Sequence, residues 1–124
     1  MKASWIVIYY ETPEGKRPAE EFINSNGIRN RAKIMNWLEQ LEEHGPMVPR
    51  PYADLLEDGI HELRFKLSGD QVRILYFFCY RDIIVLTHAF KKNTGKVPIA
   101  EIKKAKKYRS DFLKRNSESK IRGN

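Results

Sequence analysis

One cysteine stands in the 124 residues, with no Cys-x-x-Cys pair. That excludes an internal disulfide and a zinc site built on paired thiolates. Cys79, between Phe78 and Tyr80, reads as a buried core thiol in a reducing cytoplasm. Long apolar runs are missing too. The run Trp5–Tyr10 ends at Glu11, and no other is long enough to cross a bilayer. A signal peptide is not expected, and neither is membrane contact; the expected location is the cytoplasm. Internal repeats and low-complexity tracts are absent. Lys96 follows Gly95, but the phosphate-loop pattern G-x-x-x-x-G-K-[ST] is not there.

Acidic residues become scarce after Phe90. Residues 91–124 hold 12 Lys/Arg against 3 Asp/Glu, whereas residues 1–90 hold 11 against 13. The net charge of +7 therefore belongs to the C-terminal part. Such asymmetry suits a polyanion or an acidic protein partner. Solvation of a C-terminal helix accounts for the same pattern.

A hydrophobic share of 41% supports a packed core. Trp5–Tyr10 reads as a first strand, rich in β-branched and aromatic residues. Pro18 opens a short helix with Phe22 and Ile23 on its inner side. A longer helix follows over about Ile28–His44, where Ile34, Leu38 and Leu41 recur at helical spacing beside Trp37 and Gly45-Pro46 stops it. Residues 47–58, with prolines at 49 and 51, read as a connecting loop. Strands are predicted at about Ile60–Leu67, Gln71–Cys79 and Ile83–Phe90, with turns at Ser68-Gly69-Asp70 and Tyr80-Arg81-Asp82. A polar loop, residues 91–97, leads to a last helix that opens at Pro98. Its expected stripe is Ile99, Ile102, Ala105, Tyr108 and Phe112.

These elements predict an α+β fold of order β-α-α-β-β-β-α. A small, mostly antiparallel four-stranded sheet carries two N-terminal helices on one face, with a C-terminal helix besides. One domain spans 1–113, and 114–124 read as a polar, flexible tail.

Alternation along the strands puts Leu63, Phe65, Leu67, Val72, Ile74, Tyr76 and Phe78 on one face. Glu62, Arg64, Lys66, Arg73, Leu75 and Phe77 fall on the other. A two-residue turn at Gly69-Asp70 would set Lys66 opposite Arg73 and Arg64 opposite Leu75. His88 falls on the charged face or the core face depending on a one-residue register choice. Lys91 and Lys92 end the same sheet. Like charges on neighbouring strands repel, and a bound anion offsets that cost; guanidinium groups match phosphate in particular. Glu62 neutralising one arginine, on a solvated face, is the alternative.

The fragments Glu62-Leu63-Arg64, Arg73-Ile74-Leu75-Tyr76-Phe77, His88-Ala89-Phe90-Lys91-Lys92 and Pro98 with Glu101-Ile102 and Ala105 resemble, in order and spacing, the phage-derived HigB-type branch of the RelE/ParE toxin superfamily. The likeness covers about residues 5–112. It implies the toxin of a bacterial toxin–antitoxin pair, an endoribonuclease that cuts messenger RNA on the small ribosomal subunit with no metal or organic cofactor. It also implies an antitoxin with a helix-turn-helix domain, through which the complex binds operator DNA. In that reaction a 2′-hydroxyl attacks the adjacent phosphorus, and the enzyme must steady the growing charge and protonate the leaving oxygen. Arg64 and Arg73 are the expected phosphate grip, with Lys91 and Lys92 in the same clamp and His88 as acid or base. Lys66, Lys96, Lys103, Lys104 and Lys107 are expected to hold RNA. Two positions depart from the family pattern: Val97 stands where a capping Ser or Thr is usual, and Val72 where an aromatic is usual. A ParE-like gyrase inhibitor and a nucleic-acid-binding module without catalysis are the competing expectations.

Overall fold

The computed structural model describes residues 4–92 and 95–123. Among them, five strands form one sheet: β1 (Ile6–Tyr9), β2 (Ala53–Glu57), β3 (Ile60–Leu67), β4 (Asp70–Cys79) and β5 (Ile83–Lys92). The order across the sheet is β1-β5-β4-β3-β2. β1 runs parallel to β5, and the other neighbours are antiparallel. The helices are α1 (Pro18–Asn24), α2 (Ile28–His44), α3 (Ile99–Arg115) and α4 (Glu118–Arg122). No described helix is long and apolar enough to cross a membrane. The polar loop expected before α3 includes residues 93 and 94, which lie outside the described residues, as do residues 1–3 and 124.

The fifth strand corrects the expectation of four. Residues 53–57 read as loop in the sequence because prolines precede them and carboxylates stud them. Both features are ordinary in an edge strand, and β2 is the edge. Its signal is Asp58-Gly59, with φ of 51° and 76°, a two-residue turn that joins Glu57 to Ile60. The β3–β4 turn is Ser68-Gly69, at φ 50° and 86°, one residue earlier than expected. The pairing consequently slips by two, and every side chain keeps its predicted face.

Helices cover both faces. Ile23, Ile34, Leu38 and Leu41 from α1 and α2 pack on Leu63, Phe65, Ile74, Tyr76, Ile84 and Leu86. Ile102, Ala105 and Phe112 from α3 pack on Ile60, Leu75, Phe77, Ile83 and Val85. Ile99, expected in that stripe, is 69% exposed; the stripe starts one turn later. Val97 is buried in the same cluster, so this position contributes packing where the family pattern has a capping residue, and α3 follows Pro98 without a side-chain cap. α2 ends at Gly45, whose φ is 50° and whose missing Cβ leaves room for the Trp5 ring.

Residues 114–123 are largely helical where a flexible tail was expected. α3 continues to Arg115, Ser117 Oγ accepts from Lys120 N at 3.1 Å to cap α4, and Ile121 packs on the α3-side core. Arg122 donates to Tyr80 O at 2.9 Å and to Asp82 Oδ1, clamping the β4–β5 turn. Cys79 is half-buried, and burial pushes its thiol up to about 11.

Candidate active site

Arg64 and Arg73 are direct Cα partners across β3 and β4, and Lys66 pairs with Gln71. All four share the face that α3 covers farther along. β2 ends its pairing at Leu63, Arg64 N donates to Tyr52 O at 2.8 Å, and beyond that point β3 is a free edge and the face opens. There Arg64, Lys66, Gln71 and Arg73 line a groove of about 490 Å³, with Tyr52, Trp37 and Phe65 as its aromatic wall.

Two guanidinium groups placed opposite each other need a counter-charge. Glu62 supplies it to both. Its Oε1 lies 3.0 Å from Arg73 Nε and its Oε2 3.5 Å from Arg64 Nη1. The pair with Arg73 is held by charge alone: neither Oε1 nor Nε has an aligned hydrogen bond among the described residues. Arg73 Nη1 donates to Gln71 Oε1 at 3.1 Å. Arg73 is 5% exposed, whereas the Arg64 side chain is 31% exposed and its Nε donates to Pro51 O. Burial raises the Glu62 pKa, and the two arginines only partly oppose that. The cluster of Arg64, Lys66 and Arg73 against one carboxylate keeps a positive excess at the mouth of the groove. Arg64 and Lys66 are the cations open to a ligand, and Arg73 is the buried anchor behind them.

His88 reaches the α3-covered face through a bulge. Along β5, Ile84 and Leu86 face α1 and α2, and a regular strand would send His88 the same way. Thr87 is the extra residue: Tyr76 pairs with Leu86, but Leu75 pairs with His88. The buried Thr87 hydroxyl donates to Leu75 O at 3.1 Å and lies 3.1 Å from His88 Nδ1. His88 Nε2 lies 3.1 Å from Glu101 Oε1 on α3, and Phe90 and Tyr108 flank the ring. Burial holds the imidazole below its ordinary value, with Glu101 pulling the other way. At 4% exposure His88 ties α3 to the sheet and does not line the groove in which an acid or base was expected.

The bulge also sorts the two lysines. Lys92 pairs with Gln71 and shares the arginine face; Lys91 pairs with Val72, whose side chain lies in the α1–α2 core. Lys91 therefore projects away from the arginines and meets Asp70 at 3.3 Å, against expectation. Lys96 borders a second cavity of about 620 Å³ that Glu62 and Arg64 also line. Lys103, Lys104 and Lys107 lie on the exposed side of α3, apart from the groove. Sequence reasoning makes Glu62 a possible partner of one arginine, and the structure makes it the bridge between two. It misses Tyr52, Trp37 and Gln71, for which the stacking of Trp37 on Phe65 is visible only in three dimensions. Among the described residues no three His, Cys, Asp or Glu side chains gather as metal ligands.

A family model described as phage-derived protein Gp49-like (DUF891) matches residues 21–110, a span that includes every residue of the groove. A search of curated proteins found no significant match.

Proposed function

We propose that this chain, which belongs to the Gp49-like family of phage-derived proteins, cuts messenger RNA on the ribosome and uses the Arg64–Arg73 groove to do so. The family is toxin-like, of the RelE/HigB type, and membership implies a cognate antitoxin. The observation that carries the reading is the direct pairing of Arg64 with Arg73 on an open stretch of sheet, beside Lys66 and with one carboxylate between them. A strand pair that accepts this repulsion suits a phosphate ligand. The RNA 2′-oxygen attacks phosphorus and the bond to the 5′-oxygen breaks. Arg64 receives the charge that grows on the phosphoryl oxygens. Lys66 stands where it can protonate the leaving oxygen. Glu62, buried between the two arginines and outside the groove wall, holds their guanidinium groups in place, and the proton of the attacking hydroxyl passes to solvent water. Arg73 holds Glu62, and through it Arg64, in place. The antitoxin partner carries a helix-turn-helix domain that brings the complex to operator DNA, and the small ribosomal subunit presents the messenger.

Arg64→Gln tests this, because Arg64 is partly exposed and its loss leaves the Arg73–Glu62 pair intact. In a translating extract, messenger cleavage should fall roughly 10²–10³-fold, as for loss of one oxyanion donor. The folded protein should persist, with an unchanged circular dichroism spectrum. Undiminished cleavage by the variant would overturn the site. Growth arrest with intact messenger and gyrase-linked DNA breaks would overturn the nuclease reading itself.

A further inference from the structure

Behind the groove lies a second hollow that the phosphate chemistry does not use. It measures about 430 Å³, within the usual range of small-ligand pockets. Its floor is apolar: Trp37, Val48, Pro49 and Tyr52. One wall is polar, with Asn36, Gln40 and His44 at four-residue steps along α2, all exposed. Trp37 and Tyr52 line both this hollow and the arginine groove. The two rings lie 4.9 Å apart with a tilt of 37°, and Phe65 backs Trp37 at 5.6 Å and 12°. Tyr52 is 44% exposed, an unusual position for a large aromatic.

An aromatic step joined to a cationic groove is the arrangement that holds single-stranded nucleic acid. Rings stack on bases while guanidinium and ammonium groups follow the backbone. Amide side chains at the edge can meet the hydrogen-bonding edge of an unpaired base. We infer that the hollow between α2 and the chain leading into β2 is a nucleobase subsite, in which one unpaired base rests on Tyr52 and Trp37 while its phosphate reaches Arg64 and Lys66. Asn36 and Gln40 present donors and acceptors to the edge of that base. A protein side chain would find the apolar floor equally suitable, but it would have no use for cations on the far side of the same two rings. The inference rests on RNA being the ligand of the arginine groove, and it adds to that reading the group that would give preference among sequences.

The test measures binding by the full chain, apart from cleavage. A labelled pentaribonucleotide is compared, by fluorescence anisotropy at fixed salt, with a pentamer of equal charge that lacks all its bases. The base-bearing strand should bind about tenfold more tightly. Tyr52→Ala should bring the ratio of the two affinities close to one, which a merely structural role for Tyr52, weakening both strands alike, would not do. Equal affinity of the two strands for the unaltered protein would overturn the base subsite while leaving the phosphate groove standing; failure of both strands to bind would overturn both.

Discussion

On the side of the sheet covered by α1 and α2, Leu63, Ile74, Tyr76, Ile84 and Leu86 meet Ile34, Leu38 and Leu41, with no buried charge among the described residues of that cluster. On the side covered by α3, Leu75, Phe77, Ile83 and Val85 share the surface with Glu62, Arg73 and His88, all under a tenth exposed. The first face is chiefly a packing surface, reaching the groove only at its rim through Trp37 and Phe65. The second sets ionisable groups into an apolar layer, where desolvation costs more than most ion pairs return. Concentrating that expense on one face separates the scaffold from the chemistry. It also allows the two to be tested apart.

The largest expected effect breaks the α3 side at its ion pair. Arg73→Ala removes the closest partner of a buried carboxylate and should lower unfolding free energy by about 3–5 kcal/mol, read from urea titration. Replacing both members, Arg73→Met with Glu62→Leu, should restore much of that loss, because no lone charge then remains. On the other face Leu41→Ala should cost about 2–5 kcal/mol through its cavity alone, and no second substitution that deletes a charge should rescue it. If Arg73→Ala proves as mild as a surface change, the two faces do not differ as described.

The scaffold face is the legible one. Period-2 alternation in β3 and β4 and the spacing of Ile34, Leu38 and Leu41 place its residues directly, and a two-residue slip in register does not disturb them. The α3 face is legible in its membership and illegible in its geometry. That Arg64 and Arg73 lie together follows from parity; that they are direct partners depends on whether the turn is Ser68-Gly69 or Gly69-Asp70. His88 depends on a bulge, which turns on where one threonine hydroxyl finds a carbonyl and leaves no mark on the apolar pattern. The same bulge sends Lys91 to the side away from the arginines. β2 is legible after all, in Asp58-Gly59, but the prolines before it outweigh the turn. The last helix, α4, is five residues long with an ordinary cap, and its order comes from Arg122 reaching a distant turn.

A smaller effect sharpens the comparison through pH. His88 in the folded chain has its pKa below the ordinary 6.5, chiefly from burial. The unfolded chain therefore takes up a proton first as pH falls, and this group's contribution is present above 6.5 and lost as pH drops through the folded value. His61, on the α1–α2 face, is shifted the same way by its own burial. Glu62 acts with opposite sign: its raised pKa withdraws stability as pH climbs from 4.5. The informative quantity is thus the difference between the native chain and His88→Gln, in which His61 and Glu62 cancel. Between about pH 7.5 and 5 the variant should lose less stability than the native chain, by urea titration at each pH. Equal slopes would mean that His88 is as free to protonate in the fold as out of it.

The smallest effects separate two kinds of cation on α3. Lys106 and Arg109 reach Glu57 and Asp58 at the turn after β2, with Lys106 Nζ 2.5 Å from Glu57 Oε2. Lys103 and Lys107 stand exposed with no ion-pair partner among the described residues, and Lys104 lies 3.7 Å from Glu101. Lys106→Ala should therefore cost up to about 1 kcal/mol, and less in high salt, as exposed pairs do. Lys107→Ala should stay within about 0.5 kcal/mol of the native chain. A role in holding RNA would show elsewhere: each backbone phosphate deprived of its cation should lower the slope of log affinity against log salt by about 0.7 for a single strand. If Lys103→Ala and Lys107→Ala leave that slope unchanged while Lys66→Ala reduces it, the basic side of α3 is solvated surface or antitoxin contact, and the strand's grip lies in the groove alone.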